Sequence, residues 1–182
     1  MHMKYRKLQI GIMGSAQDLN YGDALRDLAR ELGREVARSG NIVVYGAEKD
    51  YDSLSTQAAR GAKEAGGTTV GVTYGKGKDI WEKEGFTDIL IVTGLERGGG
   101  REFVLVNSCD AIIAISGGSG TLTEMAIAYQ SNIPIVVMSD TGGWAEKLGG
   151  TYIDARNRLK AEIATTPGEA VSKALELIRQ RG

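Results

Sequence analysis

An apolar run, Ala111–Ile115, leads directly into Ser116, Gly117, Gly118, Ser119, Gly120 and Thr121, and then into a helical pattern that carries Glu124. A glycine-rich turn entering a helix bares backbone N–H groups that no Cβ obstructs, and the helix dipole favours an anion there. Gly117–Thr121 therefore read as a phosphate cradle; the alternative is a tight strand-to-helix turn with no ligand. Glu124 has two readings as well. Thr121-x-x-Glu124 matches a capping box. In the functional reading, a carboxylate in the first turn faces a bound sugar, where it could orient water or stabilise a cationic centre. Arg101 follows Gly98, Gly99 and Gly100, glycines that let backbone and ligand approach closely. Its guanidinium could clamp a phosphate or a base bidentately, against the alternative of a surface arginine, with Arg97 as competitor.

Weaker candidates surround these. Gly14-Ser15 after the first apolar run and Gly46 after the second could touch a ligand, or could simply pack strand against helix. Gly11–Ala16 is not the G-x-G-x-x-G fingerprint, and no G-x-x-x-x-G-K-[ST] occurs. Glu48, Lys49 and Asp50 stand where many nucleotide-binding α/β proteins carry a ribose-binding acid, or form a solvated turn. Trp81 and Trp144 read as core or interface residues, and Cys109 as an inert core thiol.

Composition narrows the chemistry. Glycine makes up 26 of 182 residues, about twice the usual share, without a collagen period and with only 2 prolines. One cysteine and one histidine, His2, exclude an internal disulfide and Cys-rich zinc sites, so no metal is expected. Catalysis would rest on Asp, Glu, Lys, Arg, Ser, Thr, Tyr and backbone amides. A net charge of −1 offers no field for nucleic acid. No run approaches the ~20 apolar residues of a membrane span, and the basic Lys4, Arg6 and Lys7 precede a short apolar stretch that reads as a first strand, not a signal peptide. A cytoplasmic protein is expected.

The elements that must position these residues alternate. Continuous apolar runs at Leu8–Met13, Ile42–Tyr45, Thr68–Thr73, Asp88–Val92, Ala111–Ile115 and Ile133–Met138 read as strands covered on both faces. Between them a 3.6 period appears. One stripe (Leu25, Leu28, Ala29, Leu32, Val36) has Asp23 as N-cap and Gly40 as stop, and a second runs from Leu54 to Ala65. Further helices are expected over Arg101–Ser108, Thr121–Ser131 and Pro167–Arg181, the last opened by Thr166-Pro167-Gly168-Glu169. Gly75–Phe86 reads as a mobile loop. Together these predict one α/β domain over residues 1–182: a Rossmann-like three-layer fold with a central, mostly parallel sheet flanked by helices, its ligand beyond the C-terminal strand ends.

These residues resemble the Lonely Guy (LOG) superfamily, long labelled lysine decarboxylases, and within it the molybdenum-cofactor carrier-like branch. The family's P-G-G-x-G-T-x-x-E corresponds to Ser116–Glu124, and its spaced arginine to Arg101, nine residues before Asp110-Ala111. Met13-Gly14-Ser15, Val44-Tyr45-Gly46, Ala59–Ala62 and Thr141–Trp144 also match family segments, so the likeness covers nearly the whole chain. The resemblance implies a Rossmann-like homodimer or higher homo-oligomer that binds a nucleotide-like phosphorylated molecule. It also implies phosphoribohydrolase chemistry without a metal or required cofactor: cleavage of the N-glycosidic bond of a nucleoside 5′-monophosphate, with Glu124 and Arg101 catalytic and Gly117–Thr121 on the phosphate. The alternative it implies is a non-catalytic binder or carrier of a nucleotide or of molybdenum cofactor. Three departures favour that alternative: Ser116 for proline, Glu102 for lysine, and the acidic Glu48–Asp50 loop for a glycine-rich one. The apolar face of Met125, Ala128 and Tyr129 is the candidate dimer contact.

Overall fold

The computed structural model describes residues 6–16 and 20–181; His2 and Lys4 lie outside the described residues. Seven strands form one sheet: β1 (Gln9–Gly14), β2 (Ile42–Gly46), β3 (Thr68–Thr73), β4 (Ile89–Val92), β5 (Ala111–Ile115), β6 (Ile135–Met138) and β7 (Ala161–Ala164). Their order is β4-β3-β2-β1-β5-β6-β7, and every pair of neighbours is parallel. The chain winds outward from β1 through β4, then returns to place β5 on the other side of β1. The strand order therefore reverses between β1 and β5, which opens a crevice beyond their C-terminal ends.

Six helices cover the sheet: α1 (Asp23–Arg38), α2 (Leu54–Glu64), α3 (Arg101–Asn107), α4 (Ser119–Gln130), α5 (Gly143–Leu148) and α6 (Pro167–Arg179). Alternate residues of each strand face opposite layers. Ile113 and Ile115 join the core beneath α1, α2 and α6, while Ile112 and Ala114 join the core beneath α3, α4 and α5. That two-sided burial explains why the central strands read as unbroken apolar runs.

The structure moves several expected boundaries. Gly22, not Asp23, caps α1, with no side-chain bond. The α6 start is as expected: the Thr166 hydroxyl accepts the Glu169 N–H, with Pro167 in the first turn. Residues 75–86 hold no helix or strand, yet Ile80 and Phe86 are buried and anchor the segment to the core. The proposed dimer face is corrected. Met125 and Ala128 are fully buried and Tyr129 nearly so, because that side of α4 packs on its own sheet and has nothing left to offer a partner.

Glycine sets the contact between α1 and α2. A Cβ at Gly33 would lie 1.8 Å from the Ala58 carbonyl oxygen, and one at Gly61 1.8 Å from that of Arg30. Backbone cannot yield as a side chain can. Gly33→Ala is therefore expected to lower stability by about 2 to 3 kcal/mol in urea denaturation, as overpacking does, despite the ~1 kcal/mol that alanine gains in helix propensity.

Candidate functional site

The crevice beyond β1, β2 and β5 is a cavity of about 340 Å3, within the size range of small-molecule sites. Its walls include Gly14, Ser15, Glu48, Tyr51, Arg97, Arg101, Gly118–Thr121 and Glu124. Residues far apart in the chain thus converge where the sheet topology opens.

The glycine turn forms one wall. Ser116 adopts φ +55 and Gly117 φ +99. Proline, whose ring fixes φ near −65, could not replace Ser116 without rebuilding this turn, so the departure from the family motif has a backbone consequence. The turn is braced from both sides. The Ser15 hydroxyl accepts the Gly117 N–H at 2.8 Å and donates to Ser116 Oγ at 3.1 Å. Ser116 N–H donates to the Thr141 hydroxyl at 2.9 Å, and Trp144 and Ala145, in the first turn of α5, donate to the Gly117 and Ser116 carbonyls. Gly143 is required for that approach, since a Cβ there would sit 2.5 Å from the Gly117 oxygen. The Gly142-Gly143 cluster thus serves backbone packing. Ser15 and the Gly117 amide are likewise engaged inside the protein.

The remaining amides of the turn are not. Leu122 is the first residue of α4 to bond within the helix, to the Gly118 carbonyl. The N–H groups of Gly118, Ser119, Gly120 and Thr121 therefore have no intrahelical acceptor. The N-cap, Gly118, supplies no side-chain bond. Because the helix starts at Ser119 and not at Thr121, Glu124 lies beyond the capping position, and the capping-box reading of Thr121–Glu124 does not hold. Glu124 is 8% exposed and lines the cavity; among the described residues it has no hydrogen-bond or ion-pair partner. Burial pushes its carboxyl up to about 7, with Glu102 and Glu48 adding to the shift and Arg101 opposing it.

Arg101 opens α3 from Gly100, which caps the helix at φ +119. It is 4% exposed, so it is a buried cation and not a surface arginine. Its Nη2 lies 3.4 Å from Glu48 Oε1 and 3.6 Å from Glu102 Oε1, while buried Nε and Nη1 have no hydrogen-bond partner. Gly46 makes room for this side chain: a Cβ there would meet Nη1 at 2.2 Å. Glu102 accepts the Gly98 N–H at 3.0 Å, which ties the glycine run to α3. Arg97 stands at the rim, its side chain 45% exposed. Of the two arginines, the buried one faces Glu124.

Glu48 sits between both arginines, and burial raises its pKa against their attraction. It is integral to the site, whereas Lys49 and Asp50 lie outside the cavity wall. Tyr51 also lines the cavity; no local pattern marks it, because it reaches the site only when the loops after β2 and β4 meet. Cys109 is buried, and burial pushes its thiol up, which suits an unreactive core residue. Among the described residues no cluster of His, Cys, Asp and Glu could hold a metal ion, and no helix is long and apolar enough to cross a membrane.

The model of the SLOG cluster4 family matches residues 7–171. Among solved structures, the protein TM1055 is 28% identical, with a TM-score of 0.81 over 94% of this chain and 99% of that one. The molybdenum cofactor binding protein of the phototrophic bacterium Rippkaea orientalis is 28% identical, with a TM-score of 0.79 over 96% of this chain and 99% of its own. A Moco (molybdenum cofactor) carrier protein from Chlamydomonas reinhardtii is 29% identical, with a TM-score of 0.76 over the same shares, 96% and 99%.

Proposed function

We propose, from the fact that the chain belongs to the SLOG cluster4 family, that it binds or carries a phosphorylated small molecule of the nucleotide or molybdenum-cofactor kind. One observation carries the reading. The buried Arg101, with two unsatisfied nitrogens, shares a cavity with the four free N–H groups at the start of α4. A phosphate ester in this cavity supplies acceptors to the amides at the helix start and a counter-charge to Arg101. In this reading Gly118–Thr121 hold the phosphate through their amides and Arg101 takes a further oxygen. Gly14, Ser15, Gly46 and Gly117 shape the cradle. The likeness to molybdenum cofactor binding and carrier proteins supports the same class of cargo.

A second reading is favoured by Glu124 itself. A carboxyl titrating near 7 is suited to general base work at neutral pH. Glu124 lines the same cavity as the helix start, where in this reading it faces the sugar of the bound phosphate ester. There it would take a proton from water as the water oxygen bonds to the anomeric carbon. The carbon–nitrogen bond breaks with its electron pair going to the leaving base, and the proton held on Glu124 is then passed to the base, which returns Glu124 to a carboxylate.

Titration calorimetry with ribose 5-phosphate, AMP, GMP and molybdenum cofactor, with chromatography of the same mixtures, tests both. Binding without release of base is expected for a carrier, and binding with release of free base for a hydrolase. A saturating ligand should also raise thermal stability, by about 2.7 kcal/mol at a hundredfold excess over Kd. Absence of binding by all four compounds would reject the phosphate site.

A further inference from the structure

The rim of the cavity is built from a guanidinium that is half exposed and yet fixed in place. Arg97 Nη1 donates to the Tyr51 hydroxyl at 2.9 Å, and its Nη2 donates to the Glu48 carboxylate and to the Tyr74 hydroxyl at 3.3 Å. The guanidinium carbon lies 5.0 Å from the centre of the Tyr74 ring and 5.7 Å from that of Tyr51. Tyr74 is in turn held by Lys49, whose ammonium sits 4.7 Å from the ring centre, and by Asp50 at 3.4 Å. An arginine with 45% of its side chain exposed normally samples many rotamers; three acceptors here set the plane of its guanidinium. The entropy of fixing it is already spent in the free protein.

The charge at the rim is already balanced. Glu48 pairs with Arg97, so the rim offers little net attraction to a second anion. What it does offer is two planar groups in the cavity wall, the Arg97 guanidinium and the Tyr51 ring, 5.7 Å apart. Arginine planes and aromatic rings are the usual stacking partners of heteroaromatic bases. The two walls come from different parts of the fold. The free amides belong to α4, whereas Tyr51 follows β2 and Arg97 precedes α3. A ligand anchored by phosphate on one wall must cross the cavity to meet the other.

We infer that Tyr51 and Arg97 form a planar clamp that selects phosphate esters bearing a flat heteroaromatic ring over bare sugar phosphates. The inference rests on the phosphate reading of Gly118–Thr121 and Arg101, and it assigns the rim a role of its own. It also gives the acidic loop Glu48–Asp50 a purpose, since Glu48 accepts from Arg97 and Asp50 from Tyr74 and both hold the clamp in position.

The probes are ribose 5-phosphate, AMP and GMP, titrated into the wild type, Tyr51→Leu and Arg97→Lys. Leucine removes the ring, and lysine keeps the charge but loses the plane. Each variant should bind AMP and GMP about tenfold more weakly, as expected for a lost stacking contact, while ribose 5-phosphate changes by less than about twofold. The ribose 5-phosphate titration also reports that each variant is folded. Equal losses for all three compounds, or no loss for any, overturn the clamp and leave the phosphate site standing. Equal wild-type affinity for ribose 5-phosphate and AMP overturns it too. Failure of all three to bind the wild type overturns the phosphate site and the clamp together.

Discussion

Arg101→Met is expected to destabilise the fold by about 4 kcal/mol at pH 8, the scale seen when one member of a buried ion pair is removed. The side chain is 4% exposed and is the buried cation among three carboxylates, Glu48, Glu102 and Glu124. Methionine fills much the same space, so the loss reports charge and not volume. Glu48 and Glu124 are already raised by burial while Arg101 pulls them down. Without it both rise further. A carboxyl whose folded pKa exceeds its unfolded value contributes stability below the unfolded value, and loses it as pH rises through the folded one. The penalty should therefore be small at pH 4, where both carboxyls are protonated with or without Arg101, and grow as pH rises through the wild-type folded value of Glu124, about 7, towards the higher value it takes without the cation. Urea denaturation at pH 4 and pH 8 measures it. A loss below about 1 kcal/mol at pH 8, the level of an exposed pair, contradicts the buried role. Phosphate ester binding should vanish in the same variant.

The behaviour of these few residues shows what could be read from the chain alone. Strands β1, β2, β3, β5 and β6 were legible because burial on both faces leaves continuous apolar runs, and β4 because its four residues are all apolar, although it is an edge strand with Ile89 51% exposed. β7 was not: Glu162 interrupts Ala161–Ala164, so this edge strand presents no apolar run. α5 has six residues behind a glycine pair, less than two turns of pattern. The site was legible where local chemistry marked it, in the glycine turn, in Glu124, and in Arg101 after its three glycines. It was not legible where contacts join distant loops. Tyr51 meets Arg97 across 46 residues, and Glu48 meets Arg101 across 53, separations that no sequence spacing encodes. The capping-box pattern misled for a related reason: α4 begins two residues before Thr121, and an exact start depends on tertiary bracing by Ser15, Thr141 and α5.

Glu124→Gln is expected to act in the opposite direction and stabilise the protein. Burial raises the Glu124 carboxyl from 4.5 to about 7 even with the attraction of Arg101 included. At 1.36 kcal/mol for each pH unit of that rise, ionising it at pH 8 costs the folded state about 3 kcal/mol. Glutamine has the same shape and no charge to desolvate. Below pH 4.5 the wild-type carboxyl is protonated in both folded and unfolded chains, and the two proteins should have equal stability. Between pH 4.5 and about 7 the wild type loses ground as its carboxyl ionises, and above 7 the full difference stands. A cap would give the reverse sign, a loss of ~1 kcal/mol. In Arg101→Met/Glu124→Gln the second change should recover part of what the first removes at pH 8, because one uncompensated charge is gone; the coupling follows from a double-mutant cycle. A residue that costs its own fold stability is one whose retention needs a functional reason. The variant separates the two available. If the protein only carries its ligand, Glu124→Gln binds a phosphate ester as well as the wild type or better, since it removes a negative charge from the cavity wall. If Glu124 activates water, binding persists and release of the base from AMP or GMP is lost.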